Sequence, residues 1–446
     1  MSFHLVASLM TPGHFRSAWR LPAADPAAHL DIDYYQRLAR TADEAGIDAI
    51  FLGDSPAIGP DIARNPANGI DPLVLLGNLA AVTERVGVLI TSSTTYNSPY
   101  NLARRFQALD IVTKGRAAVN LVTTYAPKAA ANFGLAETPD KPTRYRRAHE
   151  FLQVVRDLWD GWEPGAILAD KEAGRYADPD LIHETGHRGE FFEVAGPLPT
   201  PPGPQGHPVV VQAGGSEGGL RLGSALADVI FTVAQTRAKA VDFRDDIRAR
   251  AVAAGRSADA VKVSLGVIVL VGEDEADARA RAEELYATLP FDDIARANLA
   301  VLGLGERDLD EPIRAEELPD IPVAEGGSAG FQVSTRALLA ERPLSARELV
   351  RATAGVPGGG HRLVVGSAEQ IADDLEAWWR AGAADGFTIM YADTAVDFDR
   401  FAHQVVPILV ERGLFRAATP GTTLRERLGL PLWERDRGPA AVDASA

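Results

Sequence analysis

The sequence predicts an α/β protein in which parallel strands close into a TIM (β/α)8 barrel. Short apolar runs alternate eight times with segments of helical periodicity, and no series of consecutive hairpins interrupts them. The 446 residues exceed what one small core needs, whereas a barrel with insertions reaches this length. Polar residues also cluster directly after the strands, at the end of a barrel where active sites lie.

The predicted strands are short apolar runs without helical periodicity, and several are rich in β-branched side chains. Such runs are typical of buried strands. In chain order they cover residues 3–10, 48–53, 86–90, 116–121, 209–211, 228–232, 261–271 and 387–391.

The segments between the predicted strands are expected to be helical. The first begins at Asp31, places Tyr35, Leu38 and Ala42 on one face, and ends at Gly46. A further helix follows Ser216. The others are expected at residues 71–85, 102–112, 143–162, 239–254, 367–382 and 399–412.

Two insertions are expected in the alternation of strands and helices. The first, at about 163–206, is rich in Gly and Pro and contains a predicted hairpin at 189–198. The second, at about 273–360, is helical at first and then rich in acidic residues, Pro and Gly. Residues 1–434 are expected to form one barrel domain with these insertions, followed by a disordered tail at 435–446.

Composition restricts the classes of partner. The chain has no cysteine, so it has no disulfide framework, thiolate nucleophile or cysteine-ligated metal. The formal net charge of −16 argues against binding to nucleic acid or to an anionic membrane surface. No apolar run approaches the roughly 20 residues that cross a bilayer. The N-terminus has no signal-peptide pattern, so a cytoplasmic location and a small-molecule substrate are expected.

The stretch PVVVQAGGSEGG, residues 208–219, predicts a strand that runs through glycines into a helix. Gly214 and Gly215 form the turn, Ser216 is the predicted N-cap, and Glu217 lies in the first helical turn. Free backbone N–H groups and the positive end of the helix dipole then meet at one place, which favours an anion and most often a phosphate. An ordinary strand–helix connection, with glycines for its turn geometry, is the alternative.

Other polar residues are predicted at the same end of the barrel. Asp54 follows the second strand, Thr94 follows the third, and Asn120 lies near the end of the fourth. Arg144 and Tyr145 open a helix close to them. Each has a structural alternative, such as a turn cap for Asp54 or a turn position for Thr94. A buried amide such as that of Asn120 needs hydrogen-bond partners, which either a ligand or the protein provides.

One segment matches a metal-binding pattern. His183 to His187 reads HETGH, and the H-E-x-x-H pattern binds zinc only when a helix places both histidines on one face. Gly186 lies inside the pattern and no apolar helical stripe surrounds it, so a loop is the favoured interpretation. A zinc hydrolase remains an alternative. No P-loop, dinucleotide-binding glycine pattern or serine nucleophile elbow is present.

Several ordered segments resemble one known family. They are GHFRSAWR, DIDYYQRLARTADEAGIDAIFLGDSPAI, SSTTYNSPYNLARRFQALDIVTKGRAAVNLVTT, AAANFG, RYRRAHEFLQVVRDLWDGW, HRGEFFEVAGPLPTPPGPQGHPVVVQAGGSEGG and VGSAEQIADDLEAWWRAGAADGF. Over roughly residues 1–415 the chain resembles the bacterial luciferase-like FMN-dependent monooxygenases, in the group of nitrilotriacetate, dibenzothiophene-sulfone and pristinamycin synthase oxygenases.

The resemblance implies an oxygenase component that receives reduced FMN from a separate NAD(P)H:flavin reductase. In that family O2 adds to the flavin as a hydroperoxide, which then oxygenates a small organic substrate. The resemblance also implies a homodimer or homotetramer. The family's FMN positions fall in this sequence on Asp54, Thr94, Asn120, Tyr145, Gly215 and Ser216, with the Gly215 N–H at the phosphate.

Two positions depart from the family pattern. Relatives usually carry His where this chain has Lys141, four residues before Tyr145, and Trp where it has Val119. Lys141 is still a candidate cofactor-binding residue, because a lysine can meet a phosphate. The candidate catalytic residues are His14, Asp54 and His361. The alternatives are a deazaflavin-dependent dehydrogenase and a non-catalytic barrel.

Overall fold

The computed structural model describes residues 2–59, 62–66, 69–124, 126–319, 329–355, 360–416 and 422–431. Its main sheet has nine strands, of which eight pair in parallel in chain order, and the last of these pairs with the first. This confirms the predicted barrel. The barrel strands are β1 His4–Ser8, β2 Ala49–Leu52, β3 Gly87–Ser93, β4 Ala117–Val122, β5 Val209–Ala213, β6 Val229–Thr232, β7 Lys262–Val271 and β8 Gly386–Tyr391.

Helices follow the strands and cover the outside of the barrel. Asp31 caps the first of them by accepting from Asp33 N. The last helix continues through a π-helical turn, Phe401–Val405, which ends two positions before Pro407, whose missing N–H interrupts the α-helical pattern. The helices are α1 Ile32–Glu44, α2 Pro72–Ala80, α3 Pro99–Val112, α4 Lys141–Trp159, α5 Glu217–Leu226, α6 Arg237–Ala253, α7 Ala368–Arg380 and α8 Thr394–Arg400, which the π turn joins to Val406–Glu411.

The barrel strands are buried because helices cover their outer faces and side chains fill the interior. In β8 every residue is buried, and in β7 only Lys262 is partly exposed. The largest apolar cluster lies between strands and helices and includes Phe106, Trp159 and Phe387. This double burial explains why the strands appear in the sequence as continuous apolar runs.

The region between β4 and β5 is mostly irregular. A short helix, Pro127–Asn132, precedes α4. The predicted hairpin exists, but its strands begin earlier than expected, at His187. The strand pairs are Ile167–Asp170 with Arg175–Ala177 and His187–Arg188 with Glu193–Val194.

The region between β7 and α7 contains additional helices and a strand that the sequence did not predict. The strand Arg362–Gly366 pairs in parallel with the C-terminal half of β7. A separate apolar cluster joins several of the helices. The helices are Glu275–Ala287, Phe291–Val301, Ala329–Glu341 and Ala346–Ala352. Short 3-10 helices elsewhere are Arg16–Arg20, Ala28–Leu30, Pro179–Leu181, Ala258–Ala260 and Ala315–Glu317.

A short helix near the end of the described chain, Leu424–Arg427, closes the N-terminal end of the barrel. Leu424 and Leu428 pack against strand residues inside the barrel. Arg425 is only 2% exposed and forms an ion pair with Asp228, with 2.8 Å between Nη2 and Oδ2. Burial alone would raise the pKa of Asp228, but the Arg425 guanidinium holds it below its usual value.

The tail predicted at 435–446 lies outside the described residues, as do parts of the second predicted insertion. Within the described residues, no helix combines the length and the apolar character that a membrane span requires.

Candidate functional site

The loop from β5 into α5 has the predicted geometry of an anion site. Ser216 is the N-cap of α5, with extended backbone, and its Oγ accepts from Gly219 N at 3.4 Å. Glu217 is the first residue of the helix. Gly215 lies between the end of β5 and the N-cap. The first turn of α5 therefore presents its N–H groups at the C-terminal end of the barrel.

Tyr145, from the second turn of α4, meets this loop. The Ser216 hydroxyl donates to Tyr145 Oη at 3.1 Å. A Cβ on Gly214 would lie 2.7 Å from Gln212 Nε2, and one on Gly218 would lie 2.9 Å from the Tyr145 ring. Side chains at these positions would separate α4 from the loop, so the glycines allow the two hydroxyl groups to meet.

Lys141 is the first residue of α4 and is exposed. It lies four residues before Tyr145, and residues at this spacing share one face of a helix. The structure therefore places Lys141 on the same face of α4 as Tyr145, one turn closer to the helix N-terminus.

Asn120 points from β4 into the barrel and is 6% exposed. Its Nδ2 donates to Thr91 Oγ1 at 3.1 Å, while its Oδ1 has no hydrogen-bond partner within the described residues. Thr94 is held by the backbone, because its N and Oγ1 both contact Val122 O, at 2.9 and 3.3 Å. Asn120 thus retains an unused acceptor, whereas the hydroxyl proton of Thr94 has a partner within the protein.

Two arginines of α4 reach the loops that follow β3 and β4. Arg144 Nη1 donates to Thr124 O at 3.2 Å, and Arg147 Nε donates to Thr94 O at 3.3 Å. The Arg147 guanidinium also lies 4.4 Å from the centre of the Phe192 ring. Sequence reasoning found Arg144 but missed Arg147, although their i, i+3 spacing indicates a shared helix face.

Asp54 lies apart from these groups, after β2, and is exposed. Partial burial of its carboxyl group, followed by the charge of Asp71, raises the pKa of Asp54. Its loop is linked to the helix before α4, because Asn132 Nδ2 donates to Pro56 O at 2.8 Å. Within the described residues, no hydrogen bond joins Asp54 to Tyr145 or Ser216.

His14 and His361 form a pair above β6, β7 and β8. Their ring centres are 5.2 Å apart and nearly perpendicular, and the His361 ring centre lies 5.7 Å from that of Phe231. A Cβ on Gly266 would lie 2.8 Å from both His361 Nδ1 and Phe231, so glycine makes room for these rings. Burial lowers the pKa of His14 to about 4, and burial with the neighbouring His14 lowers the pKa of His361 well below its usual value. Both rings are therefore neutral at pH 7.

The lowered pKa of His14 predicts a specific dependence of stability on pH. Between about pH 4 and pH 6.5 the unfolded chain binds a proton at His14 that the folded chain does not bind. Stability therefore falls as the pH decreases through this range. When the pH is lowered from 7 to 5, the free energy of unfolding falls in both proteins. The fall should be smaller by about 2 kcal/mol in His14→Gln than in wild type. Urea unfolding at both pH values measures this, and equal losses would contradict the assignment.

The HETGH segment does not have the geometry of a zinc motif. Residues 183–186 form no helix, Gly186 has a φ of 57°, and the segment ends in the short strand that begins at His187. His183 Nε2 lies 2.7 Å from Glu163 Oε1, whereas His187 Nε2 lies 3.0 Å from Glu150 Oε1. The histidines thus contact different carboxylates, and no group of three metal-ligating side chains occurs within the described ranges. This geometry favours the loop interpretation over the zinc hydrolase.

The site residues therefore fall into separate groups at the C-terminal end of the barrel. Tyr145, Gly215 and Ser216 come together between α4 and α5, with Lys141 one helical turn away. Asn120 comes from β4, which is next to β5, the strand before the Gly215–Ser216 loop, and β6 lies on the other side of β5. Asp54 follows β2 and, among the described residues, forms no hydrogen bond with Tyr145, Ser216 or the histidine pair.

Comparison with known proteins identifies the family of this chain. The model of the luciferase-like monooxygenase family matches residues 10–385. Nitrilotriacetate monooxygenase component A of Aminobacter aminovorans is 41% identical over 425 residues, covering 92% of this chain and 93% of the relative.

Two solved structures have a similar fold. EDTA monooxygenase from Chelativorans sp. BNC1 has a TM-score of 0.82 and 33% identity, covering 97% of this chain and 99% of that chain. A riboflavin lyase solved with modified FMN and riboflavin also has a TM-score of 0.82, with 30% identity and 97% of each chain covered.

These relatives confirm the family resemblance identified in the sequence and the predicted activity, the oxygenase component of a two-component flavin-dependent monooxygenase. The match to the family model spans well over half of the chain, and the relative from Aminobacter covers nearly all of it. The chain therefore belongs to the luciferase-like monooxygenase family.

Proposed function

We propose that this chain uses reduced FMN to transfer one oxygen atom of O2 to a small organic substrate. The observation that carries this proposal is the meeting of Ser216 and Tyr145, 3.1 Å apart, at the N-terminus of α5. Hydroxyl groups and free N–H groups at a helix N-terminus suit a phosphate monoester, which is the polar end of FMN. The riboflavin lyase of the same fold was solved with modified FMN, which supports this choice of flavin.

The residues present fit FMN at both ends of the molecule. Gly214 and Gly218 have no Cβ, so Tyr145 can lie against the loop and bring its hydroxyl group to Ser216. The Gly215 N–H and the Ser216 and Tyr145 hydroxyl groups would hold the phosphate, and Lys141 would add a positive charge. The Oδ1 of Asn120, which has no hydrogen-bond partner in the described part of the chain, would accept a hydrogen bond from a ring N–H. Asp54 and Thr94 would lie at the rim of the ring site.

Reduced FMN would supply two electrons, so that one oxygen atom enters the substrate and the other leaves as water. The chain itself orients the reactants and excludes solvent. His14, which is half-buried, and His361, which is buried, are both neutral and would contact the substrate and exchange a hydrogen bond with it. Their neutrality means that each ring can donate from one nitrogen and accept at the other.

We further propose that a separate NAD(P)H:flavin reductase supplies reduced FMN. The name of the Aminobacter relative, component A, supports a division of the reaction between two proteins. We also propose that residues 1–434 form one barrel domain and that the chain assembles into a homodimer or homotetramer.

An anaerobic titration with reduced FMN, followed by a pulse of O2 and rapid absorbance spectra, tests this function. We expect saturable binding, and after O2 a long-lived absorbance band that differs from the spectra of reduced and oxidised flavin. The controls are free reduced FMN, which reoxidises at once, and a reduced deazaflavin. Preferential binding of the deazaflavin would support the dehydrogenase, and immediate reoxidation of bound FMN would contradict the monooxygenase.

A further inference from the structure

A cavity lies inside the barrel, between the candidate flavin site and the helix that closes the opposite end. Inward-facing side chains from all eight barrel strands line it, and its volume is about 50 Å³. Asn120 and Phe231 form part of its lining on the side of the flavin site, and Leu424 and Leu428 line it on the opposite side. Asn120 therefore belongs both to this cavity and to the candidate site.

The cavity exists because several inward positions carry small side chains. Layers of bulky branched side chains usually fill the interior of such a barrel. Here Ala49, Ala118, Ser264 and Gly386 occupy inward positions of four different strands. Gly386 cannot be enlarged, because a Cβ there would lie 2.6 Å from His4 O. The space is therefore a consequence of residue choice, and Ala49 and Ala118 are the positions that could fill it.

The lining gives a water molecule few partners. It consists mainly of Val, Leu, Ala and Phe side chains, and besides Asn120, Ser264 and Thr388 its polar members are His4 and Lys262, which lie at the N-terminal ends of β1 and β7. The hydroxyl groups of Ser264 and Thr388 bond to each other at 2.8 Å. A buried water usually makes two to four hydrogen bonds, and apolar cavities that cannot provide them stay dry and bind apolar gases. The amide oxygen of Asn120 offers one acceptor at the wall that faces the flavin site.

We propose that this cavity binds O2 and holds it beside the flavin ring. The proposal rests on the proposed function, which consumes O2. O2 is small, apolar and without hydrogen-bond donors, so it fits a dry cavity of this volume better than water does. A molecule held there lies behind Asn120, on the interior side of the barrel, and so does not compete with an organic substrate that enters from solvent.

Xenon provides a direct test, because it binds in apolar cavities and requires no flavin. Crystals of the wild-type protein pressurised with xenon should show an anomalous peak between Asn120 and Leu424. The peak should disappear in Ala118→Leu, and also in Ala49→Leu, which fills the cavity from another strand if the first variant folds poorly. Val211→Ala enlarges the cavity and should keep the xenon. No xenon in the wild-type cavity would overturn the proposal.

The reaction with O2 gives a second readout. The rate constant for the reaction of bound reduced FMN with O2 should fall about fivefold or more in Ala118→Leu, while the Kd for reduced FMN is unchanged. An unchanged rate in a variant that has lost xenon would overturn the O2 role. If the wild-type protein binds xenon but not reduced FMN, the proposed function fails while the cavity remains, so the two failures are distinguishable.

Discussion

Gly218→Val is expected to weaken the binding of reduced FMN by about a hundredfold. A steric clash of this kind typically costs about 1–3 kcal/mol, and the upper end of that range corresponds to about a hundredfold increase in Kd. A Cβ at this position would lie 2.9 Å from the Tyr145 ring, and the two further methyl groups of valine leave no room for that ring. Tyr145 would move away from Ser216, and its hydroxyl group would leave the anion site. Equilibrium titration under anaerobic conditions measures the change.

Helix propensity does not explain this loss of affinity. Gly218 lies in the first turn of α5, and replacing a helical glycine usually favours the helix. A lower affinity must therefore come from the contact with Tyr145. The matched control is the same substitution in a Tyr145→Ala background, where Gly218→Val should have little further effect on affinity. If Gly218→Val weakened binding equally in both backgrounds, the tyrosine would not be the reason.

The barrel could be predicted from the sequence because each of its strands is buried on both faces. Such a strand appears in the sequence as a short run of neighbouring apolar residues. The N-cap at Ser216 was also predictable, since a cap depends on neighbouring residues and the glycines before it. The strand Arg362–Gly366 was missed because its partner is distant. The unusual length of β7 was the one indication in the sequence. Residues 262–265 of β7 pair with β6, and residues 267–271 remain free to pair with Arg362–Gly366.

For the site, too, single residues could be predicted from the sequence, but contacts between residues far apart in the chain could not. His14 and His361 were each candidates, but their contact depends on the closure of the barrel and on the space at Gly266. The helix Leu424–Arg427 is too short to show an apolar stripe. Its capping box at Thr423 and Glu426 was a readable signal, yet nothing in the neighbouring sequence indicates that it closes a barrel.

Arg425→Met is expected to lower the free energy of unfolding by about 3–5 kcal/mol, because it leaves the buried Asp228 carboxylate without its charged partner. Arg425 also donates to His207 O at 3.2 Å, so its loss weakens the attachment of the whole closing helix. Leu424 and Leu428 would then lose burial inside the barrel. Urea unfolding measures the loss, and the double variant Arg425→Met/Asp228→Leu should recover part of it because no unpaired charge remains.

Arg427 provides a control of the same residue type in the same helix. It is 7% exposed, and its three guanidinium nitrogens have no hydrogen-bond partner within the described residues. Burial without such partners lowers the pKa of Arg427 and opposes its charged form. Arg427→Met should therefore change the unfolding free energy by less than about 1 kcal/mol, or increase it. Equal losses for the two variants would show that the methionines disturb the packing of the helix, and that the ion pair with Asp228 does not hold the barrel closed.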